Sequence, residues 1–326
     1  MNTYLYIVKR AIILLLFFFG SGMANDSRAQ SSNYQSVDQY VLSLGPMPGL
    51  NLAVITDSLT LPFTSKAEKA RALFIWMANY IEIDPKTTSN YDNRTNDASG
   101  VFLRRKGNPT GISLLFQEMC SLASIRCISV EGYYKYHTDE IGDPSDEPNY
   151  AWNVVQLSTS PTEWYYIDVS SASGFLDRRK STFTRQVNDV YFFADRVVFN
   201  LQHYPANKAW QLGEGPASVK SFYNLPCVLP GAYAYKLSSA LTPSGLFVTS
   251  TEKKSTFKLL ARRQDQINNI ELIIGEGAKA GKPIRVNFTI ENNTIEFQHT
   301  FAKSDTYPAT VLFDGLEVLR FVAEVE

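Results

Sequence analysis

The sequence predicts an α+β fold, with helices packed on an antiparallel sheet and then a C-terminal β-sandwich. Three observations carry this expectation. Apolar residues recur at helical spacing over 65–84 and 109–123, ahead of segments dominated by β-branched and aromatic residues over 127–169. From residue 229 onward, short stretches alternating apolar with polar residues follow one another, divided by turn residues. A chain of 326 residues with 44% hydrophobic content is long and apolar enough to bury two cores.

At the N-terminus, Lys9 and Arg10 precede an apolar run over 11–19, and small residues follow at Gly20, Ser21, Gly22 and Ala24. This is the order of a secretory signal, expected over residues 1–24, and the run is far shorter than the ~20 residues of a membrane span. An exported protein, periplasmic or extracellular, with no integral span after signal removal is expected. A polar linker occupies 25–36. A first domain over 37–228 and a sandwich domain over 229–326 follow.

Val37, Tyr40, Val41 and Leu44 fit a short helix closed by Gly45-Pro46. Ser65 and Glu68 form a capping box, after which Ala70, Leu73, Phe74, Met77 and Ile81 share one face, and Asp84-Pro85 ends the helix. The stretch 86–99, rich in Asn, Asp and Thr, has no period and is expected as an exposed loop. Asn108 is a good N-cap and Pro109 a good first helical residue for a helix burying Ile112, Leu115, Phe116, Met119 and Ala123. Strands are expected at 127–130, 132–136, 151–157 and 164–169. In the C-terminal part they are expected at 246–248, 256–261, 270–274, 284–290, 295–301, 309–313 and 317–325. Asn292-Asn293 and Asp314-Gly315 serve as hairpin turns. Strands at this spacing suit an immunoglobulin-like sandwich.

Arg105-Lys106-Gly107-Asn108-Pro109-Thr110-Gly111 resembles the Arg-Lys-Gly-x-Cys-x-Gly motif of transglutaminase-like and kyphoscoliosis-peptidase-like proteins, with proline where the cysteine stands. Asn149-Tyr150-Ala151-Trp152-Asn153 is similar to the family's His-Ala-Trp-Asn motif with tyrosine for histidine. Trp164-Tyr165-Tyr166-Ile167-Asp168 keeps the aspartate. Segment 190–228, with its Tyr-Pro turn and Trp210-Gln211-Leu212, resembles the trailing segment of secreted bacterial relatives. The resemblance implies a papain/transglutaminase-like core whose degenerate triad positions are Pro109, Tyr150 and Asp168. Catalytic residues are then absent, because proline has no nucleophilic atom and a phenol with an ordinary pKa near ~10 stays protonated at neutral pH.

The expected function is that of a non-catalytic binding protein holding a polypeptide or cell-wall peptide in a vestigial groove near Asn108, Thr110, Trp152 and Tyr166. Two alternatives stand beside it: a divergent acyl-transfer enzyme using Thr110, and a structural envelope component. His137, His203 and His299 are expected at surfaces or turns. Cys120 and Cys127 could pair as a local disulfide, or both could be small buried hydrophobes. A formal net charge of -1 gives no global basic surface for nucleic acid. Asp139, Glu140, Asp143, Asp146 and Glu147 lack calcium-loop spacing, so no metal and no cofactor are expected.

Overall fold

The computed structural model describes residues 34–87, 97–159, 162–177 and 182–326. The expected signal segment 1–24, most of the expected linker and the centre of the polar stretch 86–99 lie outside the described residues. The elements of the first unit begin with helices α1 (Gln35–Leu44), α2 (Leu52–Thr60) and α3 (Lys66–Tyr80). Strand β1 (Glu82–Ile83), helix α4 (Ala98–Arg104), strand β2 (Lys106–Gly107) and helix α5 (Pro109–Leu122) follow. The main sheet is built from β3 (Arg126–Tyr134), β4 (Tyr150–Thr159), β5 (Thr162–Ile167) and, further along the chain, β8 (His203–Pro205), in the order β5-β4-β3-β8. Helix α6 (Val169–Ser173), the hairpin β6 (Gly174–Asp177) and β7 (Thr182–Arg185), and helix α7 (Arg196–Gln202) lie between β5 and β8.

Helix α3 starts at its capping serine, whose Oγ accepts from the Glu68 N–H at 3.1 Å and donates to the Glu68 carboxylate at 2.7 Å. Every residue from Ala70 to Ala78 is buried, so α3 is a central helix rather than one with a single apolar face. Even Arg71 is inside. Its guanidinium meets both oxygens of Asp38 at 2.8 and 2.6 Å and Asp189 at 2.8 Å, which satisfies a charge that burial would otherwise penalise. The helix ends at Tyr80, ahead of the expected Asp84-Pro85 stop, because Ile81 turns extended and the chain joins β1, paired in parallel with β2.

The strands expected at 127–130 and 132–136 are one strand. It pairs with β4 without interruption from Arg126–Gln156 to Gly132–Tyr150. Gly132 permits this, since a Cβ there would lie 2.3 Å from the Tyr204 carbonyl oxygen and 2.5 Å from the Trp152 ring. Helices α2 and α6 and the β6–β7 hairpin were not expected from local pattern. The hairpin is anchored when Arg185 donates to the Ala78 carbonyl, at 2.6 Å, and so caps the end of α3.

After α8 (Val219–Tyr223), β9 (Cys227–Val228) and α9 (Gly231–Tyr235), the chain forms a two-sheet β-sandwich. One sheet has the order β10-β17-β16-β12-β13, from β10 (Leu246–Thr249), β12 (Ile270–Ile274), β13 (Ile284–Val286), β16 (Asp305–Phe313) and β17 (Leu316–Val325). The other has the order β11-β15-β14, from β11 (Lys254–Leu260), β14 (Phe288–Glu291) and β15 (Thr294–Thr300). The single strand expected over 284–290 is therefore split: Val286 pairs with Ile270 in one sheet and Phe288 with Phe297 in the other. Asn292 and Asn293 (φ 50° and 65°) and Asp314 and Gly315 (φ 47° and 82°) take the left-handed conformations of tight hairpin turns. Phe257, Phe297 and Phe321 fill the space between the sheets.

Gly132→Ala should lower folding stability by about 3 kcal/mol through overpacking against backbone and indole. Urea denaturation of the full chain checks this, and an unchanged midpoint would contradict the packing described.

Candidate functional site

Asn108 is extended, and its Oδ1 accepts from the Gly111 N–H at 2.8 Å, so the start of α5 is closed by a side chain with Pro109 as its first residue. One turn on, the Ser113 carbonyl accepts from Asn153 Nδ2 at 2.9 Å and Ser113 Oγ lies 2.6 Å from Ser129 Oγ. Ser129 and Asn153 are themselves paired across β3 and β4. Cys127, at the start of β3, lies beside Cys120 at the end of α5, so helix and strand run in opposite directions. Four helical residues span ~6 Å, or about two strand residues. This places Pro109 level with the Tyr150–Ala151 end of β4.

Asp168 follows β5 and caps α6, its Oδ1 accepting from the Ser171 N–H at 3.0 Å. The Tyr150 hydroxyl donates to its two oxygens at 3.2 and 3.1 Å and lies 2.9 Å from Ser171 Oγ. Burial, and then the Asp168 charge, push the Tyr150 phenol well above its usual range, so it is held as a donor.

His203 corrects the expectation of a surface or turn histidine. It is 1% exposed, and its Nε2 lies 3.0 Å from Asp168 Oδ2. Helix α7 ends at Gln202, and His203 opens β8 on the inner edge of the sheet beside β3, which swings the ring inward. Its Nδ1 faces the Phe199 carbonyl at 3.3 Å. Each ring nitrogen thus has an oxygen within hydrogen-bond reach. The ring stacks on Phe199 at 3.9 Å and meets the edge of Trp152 at 5.3 Å. No local signal except the four-residue spacing from Phe199 marks it in the sequence.

Of the residues expected near a groove, Asn108, Trp152 and Tyr166 are buried. Exposure is 7% at Asn108, 1% at Trp152 and 0% at Tyr166. Tyr166 points its hydroxyl at Asn200 Oδ1 and the Trp210 carbonyl, both at 2.8 Å, and burial raises its pKa. Tyr134 stacks on Tyr150 at 4.7 Å, with Tyr136 against both. Thr110 is half-buried, and its hydroxyl has no hydrogen-bond partner among the described residues.

Cys120, Cys127 and Cys227 are free thiols, so the local bridge considered for Cys120 and Cys127 is not formed here. Cys120 is fully buried, and burial together with the neighbouring Cys127 thiol raises its pKa well above the ordinary value. Cys227 donates to the His137 carbonyl at 3.4 Å, and burial pushes it up to about 11. None of these thiols bonds to His203, Tyr150 or Asp168 among the described residues. No cluster of three or more His, Cys, Asp or Glu side chains suited to a metal occurs among the described residues.

With an aspartate at the end of one strand, the tyrosine of the Ala-Trp-Asn motif bonded to it, and the capped helix beside both, the sequence comparison has a structural counterpart. Residues 54–169 match the model of the transglutaminase-like superfamily. This domain belongs to that superfamily. Over 192 residues, 59% of this chain, the sequence is 31% identical to the kyphoscoliosis peptidase of Mus musculus and 32% identical to that of Homo sapiens. Over 221 residues, 64% of this chain, it is 23% identical to Hillarin of Drosophila melanogaster. The chain spans 28% of the length of the two peptidases and 26% of Hillarin. No helix among the described residues is long and apolar enough to cross a membrane.

Two outcomes follow from this geometry. His203→Ala should cost about 3 kcal/mol, because it leaves a buried carboxylate oxygen without its imidazole partner; chemical denaturation measures it. Lys135 is buried with its ammonium on the Phe222 carbonyl at 2.7 Å, and desolvation pushes its pKa down to about 8, with Cys227 and Glu140 opposing. Between pH 8 and the ordinary lysine value of 10.5 the unfolded chain keeps a proton that the folded chain has released, so this group adds stability as pH rises through that window. The stability difference between wild type and Lys135→Met should therefore grow from about pH 7.5 to about pH 9.5 in favour of wild type, whereas parallel profiles would contradict it.

Proposed function

We propose that this is an exported, non-catalytic transglutaminase-like protein that binds a polypeptide or cell-wall peptide. The observation that carries this reading is the state of Asp168. Its oxygens are engaged by Tyr150, the Ser171 N–H and His203 inside a buried aromatic cluster, beside a helix that opens with Pro109. A cysteine-dependent acyl transfer needs a thiolate, a base able to take its proton and a group that orients the base. Proline supplies no thiolate. The Tyr150 phenol is held protonated, and the His203 ring has both nitrogens directed at other atoms. The Thr110 hydroxyl makes no hydrogen bond to a base among the described residues, which argues against hydroxyl-based transfer. The burial of Trp152 and Tyr166 supports a peptide contact away from these two residues. The basic, apolar and small-residue order over residues 9–24 supports export.

Purified protein incubated with casein and with a glutamine-containing peptide plus an amine should give neither new termini nor transamidated product by mass spectrometry. Turnover that disappears in Thr110→Val would overturn the reading.

A further inference from the structure

Cys120 and Cys127 are brought together by the fold, and the function proposed above uses neither. Helix α5 ends at Leu122, and the chain reverses through Ser124 at φ 58°, with the Ile125 N–H donating to the Cys120 carbonyl at 2.8 Å. Strand β3 therefore runs back along the helix that the chain has just left. Side chains two apart on a strand share a face, and side chains seven apart on a helix share one too. Ser129 meets Ser113 across this interface, Oγ to Oγ at 2.6 Å. Cys127, two residues before Ser129, and Cys120, seven after Ser113, accordingly belong to the same two facing surfaces. Asn153 Nδ2 shows which way the strand thiol points, since it donates both to the Ser113 carbonyl on the helix, at 2.9 Å, and to Cys127 Sγ, at 3.5 Å. The Cys127 thiol is also the side chain that acts on the Cys120 thiol.

The two thiols differ in access. Cys120 is fully buried, whereas Cys127 is half-buried and lines a surface concavity of about 580 Å3 with Gln117, Glu118, Ser121 and Arg126. A small reagent can enter at Cys127, and Cys120 is then reached from Cys127. Cys227 does not compete, because it is buried in β9 against β17 and donates to the His137 carbonyl at 3.4 Å.

We propose that Cys120 and Cys127 form an oxidisable pair, closed by a low-molecular-weight disulfide, with Cys127 as the entry sulfur and Cys120 as the resolving one. The Cys127 thiolate attacks one sulfur of the reagent, a mixed disulfide forms, and one reagent thiolate leaves. The Cys120 thiolate then attacks Cys127 Sγ, the bond between the two protein sulfurs forms, and the second reagent thiolate leaves. The protons of the two cysteines end on the two reagent thiols, so the protein gives up two electrons and the reagent takes them. Closure ties the short loop over 120–127 and makes covalent the helix–strand contact that Ser113 and Ser129 hold by hydrogen bonding. The pair depends on neither export nor peptide binding.

The test takes the full chain, reduced and desalted, and incubates it under native conditions with excess oxidised glutathione before remaining thiols are blocked. Trypsin cleaves after Arg126, between the two cysteines, so the peptides 107–126 and 127–135 should appear joined in a non-reducing mass map. The intact protein should lose two hydrogens, and its melting temperature should rise by about 5 °C. Cys120→Ala should stop at one glutathione adduct on Cys127, and Cys127→Ala should leave Cys120 without an adduct. The wild-type map decides the matter even if a variant fails to fold. A wild-type chain that stays reduced, that keeps a glutathione adduct on Cys127 without closing, or that joins the two peptides only in urea overturns the proposal. Closure that leaves the melting temperature unchanged or lowers it overturns the claim that the bond fits the folded geometry.

Discussion

The first unit depends on one buried carboxylate. Asp168 must be satisfied where no water reaches it, and its donors come from three different elements: the phenol of β4, the first turn of α6 and the imidazole of β8. An uncompensated charge at that depth would cost several kcal/mol, so the three elements are held in register with one another. The aromatic residues around the carboxylate exclude water and strengthen each of these bonds.

Local chemistry was legible in the sequence. The caps at Ser65 and Asn108 depend on residues within three positions, and both are found where the residue types place them. The Asn-Asn and Asp-Gly turns are equally local, since their backbone conformation follows from side chains that tolerate positive φ. The α+β class with a following sandwich was legible because hydrophobic period alone distinguishes helix from half-buried strand.

What escaped is tertiary. Nothing near His203 in the chain announces that β8 will pair beside β3 and bring the ring to Asp168, thirty-five positions away. The break at Asn287, where the chain passes from one sheet to the other, is invisible because both halves keep the alternation of a single strand. Burial of α3 on every side follows from α1, α2, α5 and α6 packed around it, and its own pattern shows only the most apolar face. Trp152 and Tyr166 carry the family resemblance, yet residue type cannot tell a groove wall from a packed core.

Strand β9 sits at the expected end of the first domain, but its partner is β17 of the sandwich, through Cys227–Arg320 and Val228–Leu319. The chain therefore stitches its second unit to the first before that unit begins. Swinging the units apart cannot proceed by bending a tether; it must shear a ladder, and the angle between them is set by covalent sequence and sheet together, as in a welded joint.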